Sequence, residues 1–555
     1  MSDATQKKWT RRSWHRRASK PVTYWFIALI IAGIIHPILP EYRWVLIHLF
    51  TLGAITNSIV VWSQHFTEKF LHQRLDDEKR PAQLYKVWVL NTGVIITIIG
   101  QLLSDAWDQH WVVTSSGAAI VSATLVWHAF SLGGQFLSAK RGQPYAPAVV
   151  AYVASACFLP VGALAGGFLA AELPGTWQER VLLVHTVSNI LGFLGLAALG
   201  SLSVLYATAW RTRLPYDYTR YSVGLMIVSL PVILGGVLAD NGYVAAGGLG
   251  LYTVAWIIPM GAWMRASISV LAQPRDRVGF SAAAVGTAPL WLLGSLVYLT
   301  AEAVVHHGEL YQINLPTNAV LVGFGAQLLI GVMSFLLPST VGGGPGPVRT
   351  GTYVLGRAGL FRWVLINGGL AIWLLTENSW LRVVASLLSI GALAVFVPLM
   401  RAGVKAQREV LMKKREPVEP ITAPRYNQVT AGIAVLALVL AAFGGLGTSG
   451  SSTAAPAAPV LEGDIYSVTI DAGDMVFTPD VIEVPYGKTL EVTLINTDDM
   501  VHDLKFANGA QTGRMTPDEE ATITVGPITE DMEGWCTIAG HRAQGMDLMV
   551  LVQQP

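Results

Sequence analysis

Apolar stretches of about 20 residues recur along the chain as far as residue 447, separated by short polar joints. They lie at 21–40, 43–66, 86–104, 112–137, 146–171, 180–208, 221–239, 243–268, 280–304, 317–337, 360–376, 380–401 and 427–447. Each is long enough for a helix that crosses a bilayer core of about 30 Å. The pattern predicts twelve spanning helices and a thirteenth set apart. Beyond residue 463 the period changes to two. Short alternating runs at 466–470, 481–484, 490–495, 521–525 and 548–551 are separated by Asp, Gly and Pro, as in a β-sandwich. The expected fold is an all-α polytopic membrane domain of about 12 + 1 transmembrane helices, followed by an all-β sandwich. The expected segments are a basic tail (1–20), a twelve-helix domain (21–404), a linker (405–426), the thirteenth helix (427–447), a Ser/Ala/Pro-rich tether (448–462) and the β domain (463–555).

Composition agrees: 52% of residues are hydrophobic and 13% charged. The net charge of +1 says little, but its placement says more. Joints at 69–80, 140–141, 211–220, 275–277, 349–357 and 401–425 gather Lys and Arg. The alternate joints hold Glu41, Asp105, Asp108, Glu172, Glu179, Asp240, Glu309 and Glu377, with Arg43 and Arg180 as exceptions. The positive-inside rule then places the N-terminus in the cytoplasm and, after thirteen crossings, the β domain outside. No small-residue cleavage site follows the first apolar run, so it reads as a spanning helix and not a removable leader.

Near the C-terminus, Cys536, His541 and Met546 stand at C-x4-H-x4-M spacing, with His502 upstream. Two imidazoles, a thiolate and a weak thioether are the donor set of a blue-copper electron-transfer site. The second cysteine, Cys157, sits in an apolar run, so no disulfide framework is implied. With its alternating strands, this C-terminal region resembles a cupredoxin. The resemblance implies a type 1 copper held by His502, Cys536, His541 and Met546. Multicopper oxidases and copper nitrite reductases place a histidine beside the copper-bound cysteine. Here the neighbours are Trp535 and Thr537, which implies that the domain carries electrons without turning over a substrate itself.

Ionisable side chains inside spanning helices are functional-site hypotheses by default. His48 and His65 share the second helix, 17 residues or about 26 Å apart. His128 lies on the fourth helix and His185 on the sixth. Depth pairs His48 with His185 near one face and His65 with His128 near the other. Facing imidazoles suit b-type heme, and Gly53, Gly192, Gly133 and Gly134 would leave room for a flat ring. The alternative is that these histidines serve as interhelical hydrogen-bonding groups. At the end of the ninth helix, Glu302, His306, His307 and Glu309 suit a metal ion or a quinol headgroup, or else a solvated helix end. His36 and His110 stand near the same face. The run 341–347 lacks a phosphate-loop lysine and reads as a turn.

Twelve helices with membrane histidines loosely resemble the heme-copper oxidase superfamily, nitric oxide reductases included. The tenth helix here lacks that family's His-x-His. A closer resemblance is to the multi-spanning module fused to cupredoxin and copper nitrite reductase domains in some bacteria, and to heme- and copper-containing membrane proteins of the nitric oxide response. HLFTLGAITNSI from His48, GFGAQLLIG from Gly323 and CTIAGHR from Cys536 carry it. It implies a bacterial cell-membrane protein of denitrification that passes electrons from quinol, through heme b, to copper and on to an extracytoplasmic reductase such as copper nitrite reductase. Two alternatives stay open: a terminal oxidase or nitric oxide reductase of heme-copper type, and a copper-handling or transport protein. Whether the chain is itself a quinol-oxidising enzyme subunit also stays open. Lipid, the quinol pool and a redox partner are the implied partners. Assembly as a homo-oligomer stays open, and nucleic acid is not implied.

Overall fold

The computed structural model describes residues 11–273, 278–376, 378–419, 425–443, 445, 465–498, 500–538 and 541–553. Twelve helices among them are long and apolar enough to cross a membrane: α1 (Ser13–Ile35), α2 (Tyr42–Phe70), α3 (Asp77–Leu102), α4 (His110–Ser138), α5 (Ala146–Ala170), α6 (Trp177–Trp210), α7 (Thr219–Leu238), α8 (Gly242–Leu271), α9 (Phe280–Val305), α10 (Ala319–Val341), α11 (Pro345–Leu375) and α12 (Trp380–Leu411). A shorter apolar helix, α13 (Asn427–Ala442), corresponds to the expected thirteenth span. The expected tether at 448–462 lies outside the described residues.

Three boundaries differ from the sequence reading. Trp14 and Ala18 of the basic tail are buried in the opening turns of α1. The start of the expected linker belongs to α12, where Gln407 donates to the carbonyls of Pro338 and Gly342 at 2.9 and 2.8 Å. The glycine run does turn, at positive φ for Gly342, Gly343 and Gly344, but Pro345 then opens a helix.

Every fourth span shares one device. π-Helical stretches interrupt α2 at Leu49–Ile55, α6 at Val187–Gly195 and α10 at Ala319–Ala326. In each, a glycine accepts an aromatic side chain from the preceding span: Gly53 takes Trp25, Gly192 takes Phe158 and Gly323 takes Trp291. An added Cβ would lie within 2.8, 2.6 and 2.5 Å of those side chains. The Trp25 indole donates to Asn91 Oδ1 at 2.6 Å, and Asn91 donates to Asn57 Oδ1 at 2.8 Å. Likewise Trp291 donates to Asn367 Oδ1 at 2.8 Å, and Asn367 donates to Gln327 Oε1 at 2.7 Å. Asn57 and Gln327 each stand four residues after their glycine. In the middle group Phe158 and Leu196 hold the matching places, and the knot there is apolar. The helical domain thus repeats a four-helix unit, and π-bulges of this kind gather at functional sites.

The C-terminal domain has two four-stranded sheets. One has the order β2-β1-β4-β6, from β1 (Ile465–Gly473), β2 (Val476–Thr478), β4 (Thr489–Asn496) and β6 (Glu520–Val525). The other is β3-β8-β7-β5, from β3 (Val481–Pro485), β5 (Lys505–Phe506), β7 (Met532–Trp535) and β8 (Asp547–Gln553). Period-two alternation sends Leu490, Val492 and Leu494 of β4 and Leu548 and Val550 of β8 into one core. Tyr311, from the α9–α10 joint, joins that core and ties the two domains together.

Candidate metal centre

Among the described residues, one group of histidine, cysteine and carboxylate side chains is close enough to share an ion: His502, Cys536 and His541, whose ligand atoms lie within 4.8 Å of one another. Three loops at one end of the sandwich supply them. His502 follows β4, and its backbone pairs with Met515 (N to O 3.1 and 2.7 Å). Cys536 follows β7, and its N–H donates to Met546 O at 3.1 Å. The short helix His541–Gln544 carries His541, and Met546 N donates to His541 O at 3.1 Å. Met546 and His502 are fully buried, and Cys536 and His541 nearly so.

The donor geometry fits a metal. His502 Nδ1 lies 3.1 Å from His541 Nδ1, and Cys536 Sγ lies 3.6 Å from His541 Nδ1. Bonds of about 2.0 Å to nitrogen and about 2.3 Å to sulfur, spread in a trigonal plane, put N and N about 3.5 Å apart and S and N about 3.7 Å apart. Asp498 Oδ2 lies 2.9 Å from His502 Nε2, so the carboxylate takes that ring proton and leaves Nδ1 facing the other donors. Asp503 accepts from both the N–H and the hydroxyl of Thr537, which locks the His502 loop to the Cys536 loop. Burial, reinforced by the Asp503 charge, holds the Cys536 thiol far above its usual range. Burial and then His502 lower His541 to about 3, so its imidazole is neutral at physiological pH.

Beneath this centre lies a cavity of about 850 Å³. Trp535, Cys536, His541 and Arg542 line it on the β-domain side, and His48 and His185 on the helical side. The rings of His48 and His185 are 6.1 Å apart between centres. His48 donates from Nδ1 to Trp44 O and His185 from Nδ1 to Gly162 O, each at 2.8 Å. His48 therefore keeps its Nε2 lone pair, while Asn189 Nδ2 lies 3.4 Å from both ring nitrogens of His185. Two imidazoles on opposite sides of one ion, at bonds of about 2.0 Å, have ring centres roughly 6–6.5 Å apart. The observed 6.1 Å falls in that range. His110 also lines the cavity, buried, with its Nδ1 unbonded among the described residues.

The glycines expected to make room act otherwise. Gly53 and Gly192 are filled by aromatic side chains, while Gly133 and Gly134 face open space. Gly162 and Gly166 of α5 do stand against the site: a Cβ at Gly166 would lie 2.9 Å from the His185 ring, and one at Gly162 would strike Asn189. No sequence signal singled out these two among the glycines of α5.

His65 and His128 are not brought together. Both His128 nitrogens are engaged, Nε2 with Ser63 Oγ at 2.8 Å and Nδ1 with Lys86 Nζ at 2.9 Å. His65 packs on His15 and Trp62. Ser63 and His65 stand about 200° apart around α2, so a helix that turns Ser63 toward α4 turns His65 away. His306 and His307 also diverge. His306 lies 3.8 Å from Glu302, while His307 accepts from Gly242 N at 3.1 Å and lies against the Tyr243 ring. His36 bonds Gly33 O on the surface.

Residues 436–531 match the cupredoxin-like domain family. The matched stretch contains His502 and stops before Cys536, His541 and Met546. Among solved structures, the chain is similar to dithionite-reduced auracyanin from the photosynthetic bacterium Roseiflexus castenholzii, at 22% identity over 16% of this chain and 96% of that chain, with a TM-score of 0.15. It is similar to auracyanin B at 16% identity, over 16% of this chain and 88% of that chain, with a TM-score of 0.15. A multi-copper oxidase from Pediococcus acidilactici matches at 16% identity, over 18% and 28% of the two chains, with a TM-score of 0.16. No curated protein matches the chain.

Proposed function

We propose that the chain is a membrane electron-transfer protein that takes electrons from quinol and delivers them, through the copper centre of its cupredoxin-like domain, to an external reductase such as a copper nitrite reductase. One observation carries this reading: a single cavity runs from the loop of Cys536 and His541 to the facing pair His48 and His185. Copper at His502, Cys536, His541 and Met546 supplies a one-electron couple, and heme b between His48 and His185 would supply a second.

The chain's own residues do the positioning. The Trp44 and Gly162 carbonyls fix which ring nitrogen of His48 and His185 faces the cavity. Asp498 does the same for His502, and Asp503 holds the Cys536 loop closed. Leu249, Leu292 and Leu296 give the cavity an apolar wall, and low polarity beside it strengthens charge interactions. Glu41 and Glu172 also line the cavity, and their carboxylates would take up the protons a quinol releases. We further propose that the N-terminus is cytoplasmic and the copper domain external, an orientation supported by the Lys- and Arg-rich joints.

The test is to add a short-chain quinol to the copper-loaded chain in proteoliposomes and follow bleaching of the thiolate–copper band. Bleaching that His48→Leu and His185→Leu both abolish supports the reading. Bleaching unaffected by either substitution would mean that electrons reach copper by another route.

A further inference from the structure

Beside Tyr311, one side chain of the β domain reaches across to the helical domain over the cavity. Between 465 and 553 the cations are Lys488, Lys505, Arg514 and Arg542, and Arg514 faces the helical domain. Its guanidinium donates to Tyr311 O, to Ile313 O at 3.5 Å and to Asn314 Oδ1 at 3.4 Å, and lies 3.9 Å from the Glu179 carboxylate. Its backbone is gripped as well. Gln312 Nε2 donates to Arg514 O at 2.9 Å, and Arg514 N donates to Gln312 Oε1 at 3.3 Å. The next residue, Met515, is the one that pairs with the ligand His502. The contact thus adjoins the strand-like pairing that carries His502.

We propose that Arg514 is a release latch: it seats the copper domain on the α9–α10 joint for loading, and the domain leaves that seat to pass its electron to an external protein. This rests on the electron-transfer reading above. The argument is one of access. While the domain is seated, His502, Cys536, His541 and Met546 are all buried, and the loop carrying three of them roofs the cavity. Cys536 and His541 thus face the cavity that His48 and His185 also line. A quinol loses two electrons and two protons, so it loads the seated domain twice. Copper held there would supply the one-electron couple, and each release would pass one electron to an oxidised metalloprotein. Apart from Glu179, the partners of Arg514 are neutral oxygens and amides, a grip suited to letting go.

The test compares the full copper-loaded chain in proteoliposomes as wild type, Arg514→Ala and Gln312→Ala. Hydrogen exchange is the first readout. Both variants are expected to lose protection at 310–315 and at the ligand loop 535–546, while β4 and β6 keep theirs. Bleaching by a short-chain quinol should slow about tenfold or more, and reoxidation by oxidised cytochrome c should quicken. These opposite signs separate a latch from simple damage. Unchanged exchange in both variants would overturn the proposal, as would loading and discharge slowing together while the copper band stays intact. Should Arg514→Ala lose its copper band, Gln312→Ala decides alone. A wild type that quinol cannot bleach, with exchange responding as expected, would overturn the donor reading and uphold the seat.

Discussion

Replacing Asp498 with alanine removes the group that orients His502 and leaves the rest of the copper centre in place. The carboxylate lies 2.9 Å from His502 Nε2, and the imidazole has no exposed surface through which water could readily replace it. An orphaned donor in such a setting costs about 1–3 kcal/mol. At about 1.4 kcal/mol per tenfold, that is roughly 5- to 150-fold in copper affinity. Losing a partner of this kind at other metal sites costs about 10–100-fold, which falls inside that range. Asp498→Ala is therefore expected to weaken copper binding by about 10–100-fold, measured by chelator competition on the thiolate–copper band. The control is Glu533→Ala. It breaks the half-exposed Arg542–Glu533 pair and should change affinity less than about fivefold. An Asp498→Ala chain that binds copper as tightly as the wild type would refute the claim that this carboxylate sets the ring orientation.

Other outcomes follow from the same geometry. Because burial keeps the Cys536 thiol protonated at neutral pH while His541, at about 3, is already neutral, copper displaces a proton from Cys536 and none from His541. The apparent copper affinity should rise by at least about tenfold per pH unit between pH 6 and 8, and a flat profile would contradict this. Asn91→Leu strips the acceptor from the Trp25 indole and one partner from Asn57, and should destabilise the detergent-solubilised chain by about 1–3 kcal/mol. Asn367→Leu, at the matching place in the third repeat, should do the same, and unfolding curves that separate the two would argue against equivalent knots. His128→Leu should leave any bound heme in place, since Ser63 and Lys86 already occupy both ring nitrogens; a lost Soret band would show otherwise.

Apolar run length made the twelve spans legible, because crossing a bilayer demands about 20 such residues whatever their packing. The first segment of α11, Pro345–Leu355, escaped because its 11 residues are too short and polar for that test. The five longer strands were legible from alternation, whereas β2, β5 and β7, of two to four residues, carry too few positions to show a period. The meeting of His502, Cys536 and His541 could be read because such residue types are rare and form a recognisable set. His48 and His185 could be paired by depth, but depth gives only height along an axis. Direction around the helix decided that His65 faces His15 while Ser63 meets His128. The π-helical stretches were invisible in advance, since one extra residue per turn leaves no compositional mark. The Arg514 seat was equally hidden, because it joins residues 200 positions apart.

The central claim is that His48 and His185 hold a redox group beneath the copper centre. An optical spectrum of the purified chain, oxidised and then reduced, tests it most directly, as wild type and as His185→Leu. The account predicts a thiolate–copper band that bleaches on reduction, together with a Soret band and a sharp reduced α-band. In His185→Leu the copper band should remain and the heme bands should vanish. A wild-type spectrum with the copper band alone would contradict the account.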